Sequence, residues 1–177
     1  MSEYVEPAYA QGFFAVSPTG LVHQIVIFDY YDPESYYYSL IEDEEALTTE
    51  LEFLKDSMQA MLDQERVTIN GVRTKPQVID VDLGFRGSPV RPYLTFFILF
   101  KGDFKNGINV YENWYESEEA EYDFDAYWFF PLKAEVLEVE ASGTIEIFGA
   151  RNILVISVKR GEHISGYEKI VFKLDQV

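Results

Sequence analysis

The chain has 177 residues, with 31 Asp and Glu against 14 Lys and Arg, a formal net charge of −17 and no cysteine. That length suits one domain with a sizeable core, and a content of 47% hydrophobic and 16% aromatic residues belongs to a folding chain, not a disordered one. The missing cysteines exclude disulfides, thiolate metal ligands and a Cys nucleophile, and the acidic balance opposes direct binding to nucleic acid or to an anionic membrane.

Residues 1–11 hold no basic residue and no apolar core, so no secretory leader is expected. The longest apolar stretch, Tyr93–Phe100, spans far fewer residues than the ~20 that cross a bilayer. The expectation is a cytoplasmic protein without a cofactor, with a loose tail over 1–10 and a single domain over 11–177. Two histidines and an excess of Glu give a composition that leans towards a thermophile.

Gly12–Val16 and Leu21–Tyr31 flank Ser-Pro-Thr-Gly at 17–20, a turn signal that predicts a hairpin. Asp32-Pro33-Glu34-Ser35 turns the chain again. Tyr36–Ile41 then reads either as a third strand or as an early helical turn. Over Asp43–Gln64, Leu47, Leu51, Leu54, Met58 and Met61 recur at helical spacing, and the acids at the start suit the positive end of a helix dipole. One stripe means one buried face, so this helix is expected to lie on a sheet.

Beyond it the period becomes two. Asn70-Gly71 between Val67-Thr68-Ile69 and Val72-Arg73-Thr74 is a strong hairpin signal. Further strands are expected over 77–85, 92–101, 107–115, 120–130, 133–141, 144–148, 152–159 and 166–174. Tyr93–Phe100 is apolar on both parities, which predicts cover on both faces. In Lys133–Ala141 the apolar parity changes at Val136-Leu137, the mark of a β-bulge or a bend. The fold class is therefore α+β, mainly antiparallel with about eight to eleven strands and one long helix; a two-layer sandwich or barrel under a helix is the alternative.

Glu121, Asp123 and Asp125 share one strand face at a spacing of ~7 Å. Such a row is able to hold a hard cation or, with Glu116, to serve as a carboxylate pair in hydrolysis, but a solvated acidic face explains it better. Arg86 and Arg91 stand in the one basic, glycine-bearing loop (84–92), a candidate anion-binding turn whose arginines otherwise pair with the acidic surface. His23 shares parity with Leu21, Ile25 and Ile27 and is expected in the core, whereas His163 is expected in an exposed loop. Too many rings crowd Tyr30, Tyr31, Tyr36, Tyr37 and Tyr38 for all to point inward, and Tyr111, Trp114 and Tyr115 add a second cluster. Aromatic surface of this kind favours partner or ligand binding.

The expected function is that of a non-catalytic binding or assembly protein whose acidic-aromatic surface meets a protein partner or a second copy, as a homodimer. One alternative is a carrier holding a small apolar ligand between the long helix and a curved sheet. Another is an acidic mimic of nucleic acid.

Overall fold

The computed structural model describes residues 4–175. Strands β1 (Glu6–Val16) and β2 (Leu21–Tyr31) form the first hairpin, closed by Ser17 N–H on Leu21 O at 2.8 Å. Residues 6–10 belong to β1, within the segment expected as a loose tail. They are held because Glu6 and Pro7 pair with Tyr31 and Tyr30 of β2, and from Tyr9 to Ala15 the other edge of β1 pairs in parallel with a distant strand. Tyr36–Leu40 is a short helix, α1, and not a strand: Asp32 Oδ2 accepts from Tyr37 N–H at 3.0 Å and turns the chain helical there.

Helix α2 (Glu44–Gln64) starts where the sequence places it. Asp43 caps it through Ala46 N–H at 3.0 Å, and Glu44 and Glu45 lie in the first turn. Leu54 and Met58 are buried against the sheet, but Met61 is 61% exposed. Leu62 takes the inner position that the stripe assigned to Met61, since 54, 58 and 62 keep the i+4 step along one face.

The remaining strands are β3 (Arg66–Ile69), β4 (Val72–Thr74), β5 (Gln77–Phe85), β6 (Pro92–Lys101), β7 (Gly107–Trp114), β8 (Glu118–Glu119), β9 (Asp123–Phe129), β10 (Glu135–Glu140), β11 (Thr144–Phe148), β12 (Ile153–Val158), β13 (His163–Ile164) and β14 (Tyr167–Leu174). They form a seven-stranded sheet of order β11-β12-β9-β1-β2-β6-β5, a five-stranded sheet β10-β14-β7-β3-β4 and the ribbon β13-β8. Among the described residues only β1–β9 is a parallel pair, and no sheet closes into a barrel. Asn70 (φ 52) and Gly71 (φ 79) make the two-residue turn between β3 and β4, as read. The parity change in β10 is a register shift against β14 between Val136 and Glu138.

Strand β6 corrects the expectation of cover on both faces. Leu94, Phe96 and Ile98 lie under α2 with Val78 and Val81, while Phe100, on the same face, lies under the five-stranded sheet with Val22, Tyr111 and Trp128. Both covers thus occupy one face of the large sheet, side by side. The outer face keeps Phe97 39% exposed, and its rings pack sideways along the sheet, as Phe13 does on Tyr127 at 5.1 Å. His23 lies on this face and is exposed, not buried: it follows the apolar parity of β2, but nothing among the described residues covers that parity.

Candidate functional site

Two covers on one sheet leave a gap between them. Its floor is the inner face of β1, β2 and β9, where Phe14, Gln24, Phe124 and Ala126 line two adjoining cavities of about 240 and 250 Å³. The last turn of α2 and Glu65 form one wall and Tyr111, Asn113 and Glu168 of the five-stranded sheet another; Glu118 and Ile164 of the small ribbon close the third side. A third cavity of about 260 Å³ continues outward past Glu65, Tyr115 and Glu118 to Met61, Gln64 and Glu116. Each alone is a little below the ~300–1,000 Å³ of a usual small-molecule site, and neighbouring ones share lining residues, Phe14 and Phe124 in one pair and Glu65 and Tyr115 in the other.

The cleft is acidic. Glu65, Glu116, Glu118 and Glu168 line it, and no Lys, Arg or His does; Asp125 borders one cavity but shares the outer-face parity of Tyr127. Burial pushes the Glu168 carboxyl up to about 7, and the neighbouring charge of Glu65 adds to this. Glu65 is also raised by burial, against the opposing effect of Asn113, whose Nδ2 donates to Glu65 Oε2 at 2.8 Å. Burial drives the Tyr111 and Tyr115 hydroxyls upward as well, with the charges of Glu168 and Glu65 next in weight. Asn113 is 8% exposed, and its Oδ1 has no hydrogen-bond donor.

The residues singled out in the sequence scatter. Tyr37 and Tyr111 are buried, so neither belongs to an exposed rim; their rings are needed to fill the core under α2 and between the sheets. Tyr30 and Tyr36 pack against the same α2 core, Tyr31 is exposed, and Tyr38 is exposed with its ring edge-on to Phe85. Trp114 faces outward from the five-stranded sheet with Arg66 5.0 Å above its ring. Of the eight aromatics only Tyr111 and Tyr115 reach the cleft.

The acidic row does not converge. Asp123 binds Lys159 Nζ at 3.0 Å and the Arg160 N–H at 2.8 Å, which hold its carboxyl below the usual range. Asp125 accepts from the Tyr9 hydroxyl, and Glu121 is exposed beside Glu6 and Arg160. Among the described residues no group of three or more His, Asp or Glu is placed to hold a metal ion. Arg86 donates to Asp29 Oδ1 at 2.9 Å and lies 4.1 Å over Tyr93, while Arg91 is exposed. His163 is exposed in β13.

The cleft acids carried a sequence signal of their own. Glu168 shares parity with Ile170, Phe172 and Leu174, as Gln24 does with Val22, Val26 and Phe28, and Asn113 with Tyr111. A polar residue in an apolar row points at a cavity or at a buried partner.

No family model matches the chain, and no curated protein matches it. Among solved structures, the chain is similar at 9% identity and a TM-score of 0.39 to a two-domain M1 zinc metallopeptidase; 96% of this chain covers 43% of that one. No helix among the described residues is long and apolar enough to cross a membrane.

Proposed function

We propose that the protein is a non-catalytic binding protein that holds a small ligand in the cleft between α2, the five-stranded sheet and the ribbon. The observation that carries this reading is the side-by-side placement of two covers on one sheet face, which leaves an aromatic floor open in an otherwise packed interior. Gly12 provides the test. A Cβ built there meets only Phe14 Cε2, at 3.5 Å, so a side chain fits without backbone strain and grows into the cavity. Gly12→Leu is expected to keep the fold and to abolish binding of small aromatic probes followed by ligand-detected NMR. Unchanged binding in a folded Gly12→Leu protein would falsify the cleft as the site.

A second reading, self-association, is favoured by the outer face of the seven-stranded sheet. Val155, Tyr127, Phe13, Ile25 and Phe97 form the uncharged middle of a row across it, which ends in Glu146 on β11 and Asp80 on β5. In a chain of net charge −17, the middle of this row is where two copies meet ring on ring with the carboxylates kept to its ends, so the occupant is a second copy. Sedimentation of the wild-type chain at rising concentration checks it.

A further inference from the structure

Resting on the cleft reading above, we propose that the ligand is an organic cation, a primary ammonium or guanidinium on an apolar body, with its N–H groups on Asn113 Oδ1, Glu65 and Glu168 and its body over Phe14 and Phe124. At this end of the cleft Asn113 spends its NH₂ on Glu65 and leaves Oδ1, in a residue 8% exposed, without a donor. No group among the described residues donates a hydrogen bond to the Glu168 carboxyl, which is half-buried and next to the charge of Glu65. Asn113, Glu65 and Glu168 therefore present acceptor oxygens with one NH₂ among them, and the buried one, Asn113 Oδ1, is costly to leave without a donor. A carboxylate or phosphate ligand would add acceptors and like charge, whereas an ammonium supplies three N–H groups and the missing positive charge.

The walls agree with the pole. The rings of Phe14 and Phe124 suit an apolar or aromatic body, and aromatic faces attract cations as well. The titratable groups facing Glu168 are Glu65 from the end of α2, Tyr111 from β7, Tyr115 from the loop after it and Glu118 from β8; every one is acidic or neutral.

The experiment compares phenethylamine, 2-phenylethanol and 3-phenylpropionate, one body with three heads, by calorimetry and ligand-detected NMR on the whole chain. The amine is expected to bind at least tenfold more tightly than the alcohol, and the acid not at all. Glu168→Gln, which keeps the shape, should reduce amine affinity roughly tenfold and leave the alcohol unchanged. Amine affinity should rise from pH 6 to pH 8 in the wild type and stay level in Glu168→Gln. Equal binding of amine and alcohol, or preference for the acid, overturns the cation assignment while leaving the cleft reading intact. Binding of none of the three, or amine binding unaffected by Gly12→Leu, overturns both.

Discussion

Asn113 Nδ2 donates to Glu65 Oε2 at 2.8 Å, tying the residue that caps the end of α2 to the central strand of the five-stranded sheet. The bond adds a side-chain tie where the chain runs from α2 straight into β3, which pairs with β7 at Arg66–Trp114 and Val67–Asn113. Asn113→Ala leaves the half-buried Glu65 carboxylate without this donor and is expected to cost about 1–3 kcal/mol, read by urea denaturation at pH 7.5. The Glu65 carboxyl should also titrate higher in the variant, because the bond that lowers it is gone. An unchanged midpoint would mean that water replaces Asn113 without loss.

Glu168 ties stability to pH. Its folded carboxyl titrates near 7 against an ordinary 4.5. A raised carboxyl destabilises the fold only when ionised, so the penalty is absent below pH 4.5, grows as pH rises towards 7 and is complete above. At ~1.36 kcal/mol per unit its ceiling is about 3 kcal/mol. The lowered Asp123 has the opposite sign but acts below its ordinary 3.8, outside this window. Wild-type stability is therefore expected to fall between pH 5 and 7.5, and Glu168→Gln to flatten the slope and exceed wild type at pH 8. A midpoint that rises with pH in this window contradicts the assignment.

The elements most legible in the sequence are those whose signals are local. Asn70-Gly71 needs only two residues in left-handed backbone, Asp43 needs only an N–H three residues on, and the bulge in β10 shows as a parity change within the strand. The double-sided apolar run of β6 misled for a physical reason: periodicity shows which side chains are apolar, not what lies above them. Leu94 and Phe100 share one face yet meet different covers, while Phe97 meets none. The cleft was beyond reach for the same reason, since Glu65 and Glu168 are brought together only by the pairing of β7 with both β3 and β14.

The helix stripe makes a sharp pair of substitutions. Leu54→Ala, at a residue 6% exposed, should cost about 2–5 kcal/mol. Met61→Ala, at an exposed residue, should stay within about 0.5 kcal/mol. Urea denaturation of both variants decides whether the inner face turns from 58 to 62, as the packing has it, or to 61.

The first hairpin depends on glycine at 20. Gly20 holds φ 94, accepts from Gly102 N–H at 2.9 Å, and leaves a built Cβ 2.1 Å from Gly102 O. Left-handed strain and a backbone clash act together, so Gly20→Ala should destabilise by more than about 2 kcal/mol. Thermal melting should show the loss, and a melting temperature within two or three degrees of wild type, on the order of 0.5–1 kcal/mol for a chain this long, would mean that the β1–β2 turn relaxes cheaply.

Charge and the outer sheet face give the last expectation. The side-chain ion pairs are mostly solvent-exposed, as in Lys159–Asp123 and Arg151–Glu135, and surface pairs contribute little. They leave the repulsion of a −17 chain largely uncompensated. Salt screens that repulsion over ~8–10 Å at physiological strength, so moderate salt should raise the melting temperature. It should also strengthen any contact between copies made through an uncharged surface. Phe97 and Phe129 stand 39% and 41% exposed on the outer face, among the stacked rings of Phe13 and Tyr127. Sedimentation at micromolar protein and high salt is expected to show a dimer for the wild type, and Phe97→Glu and Phe129→Glu are expected to return it to the 20.5 kDa monomer. Both variants should keep the wild-type melting temperature within a few degrees, because neither ring enters the core between the sheets or under α2. A wild-type chain that sediments as a monomer at high salt ends the case for self-association, and the open rings of β6 and β9 then need another explanation than a second copy.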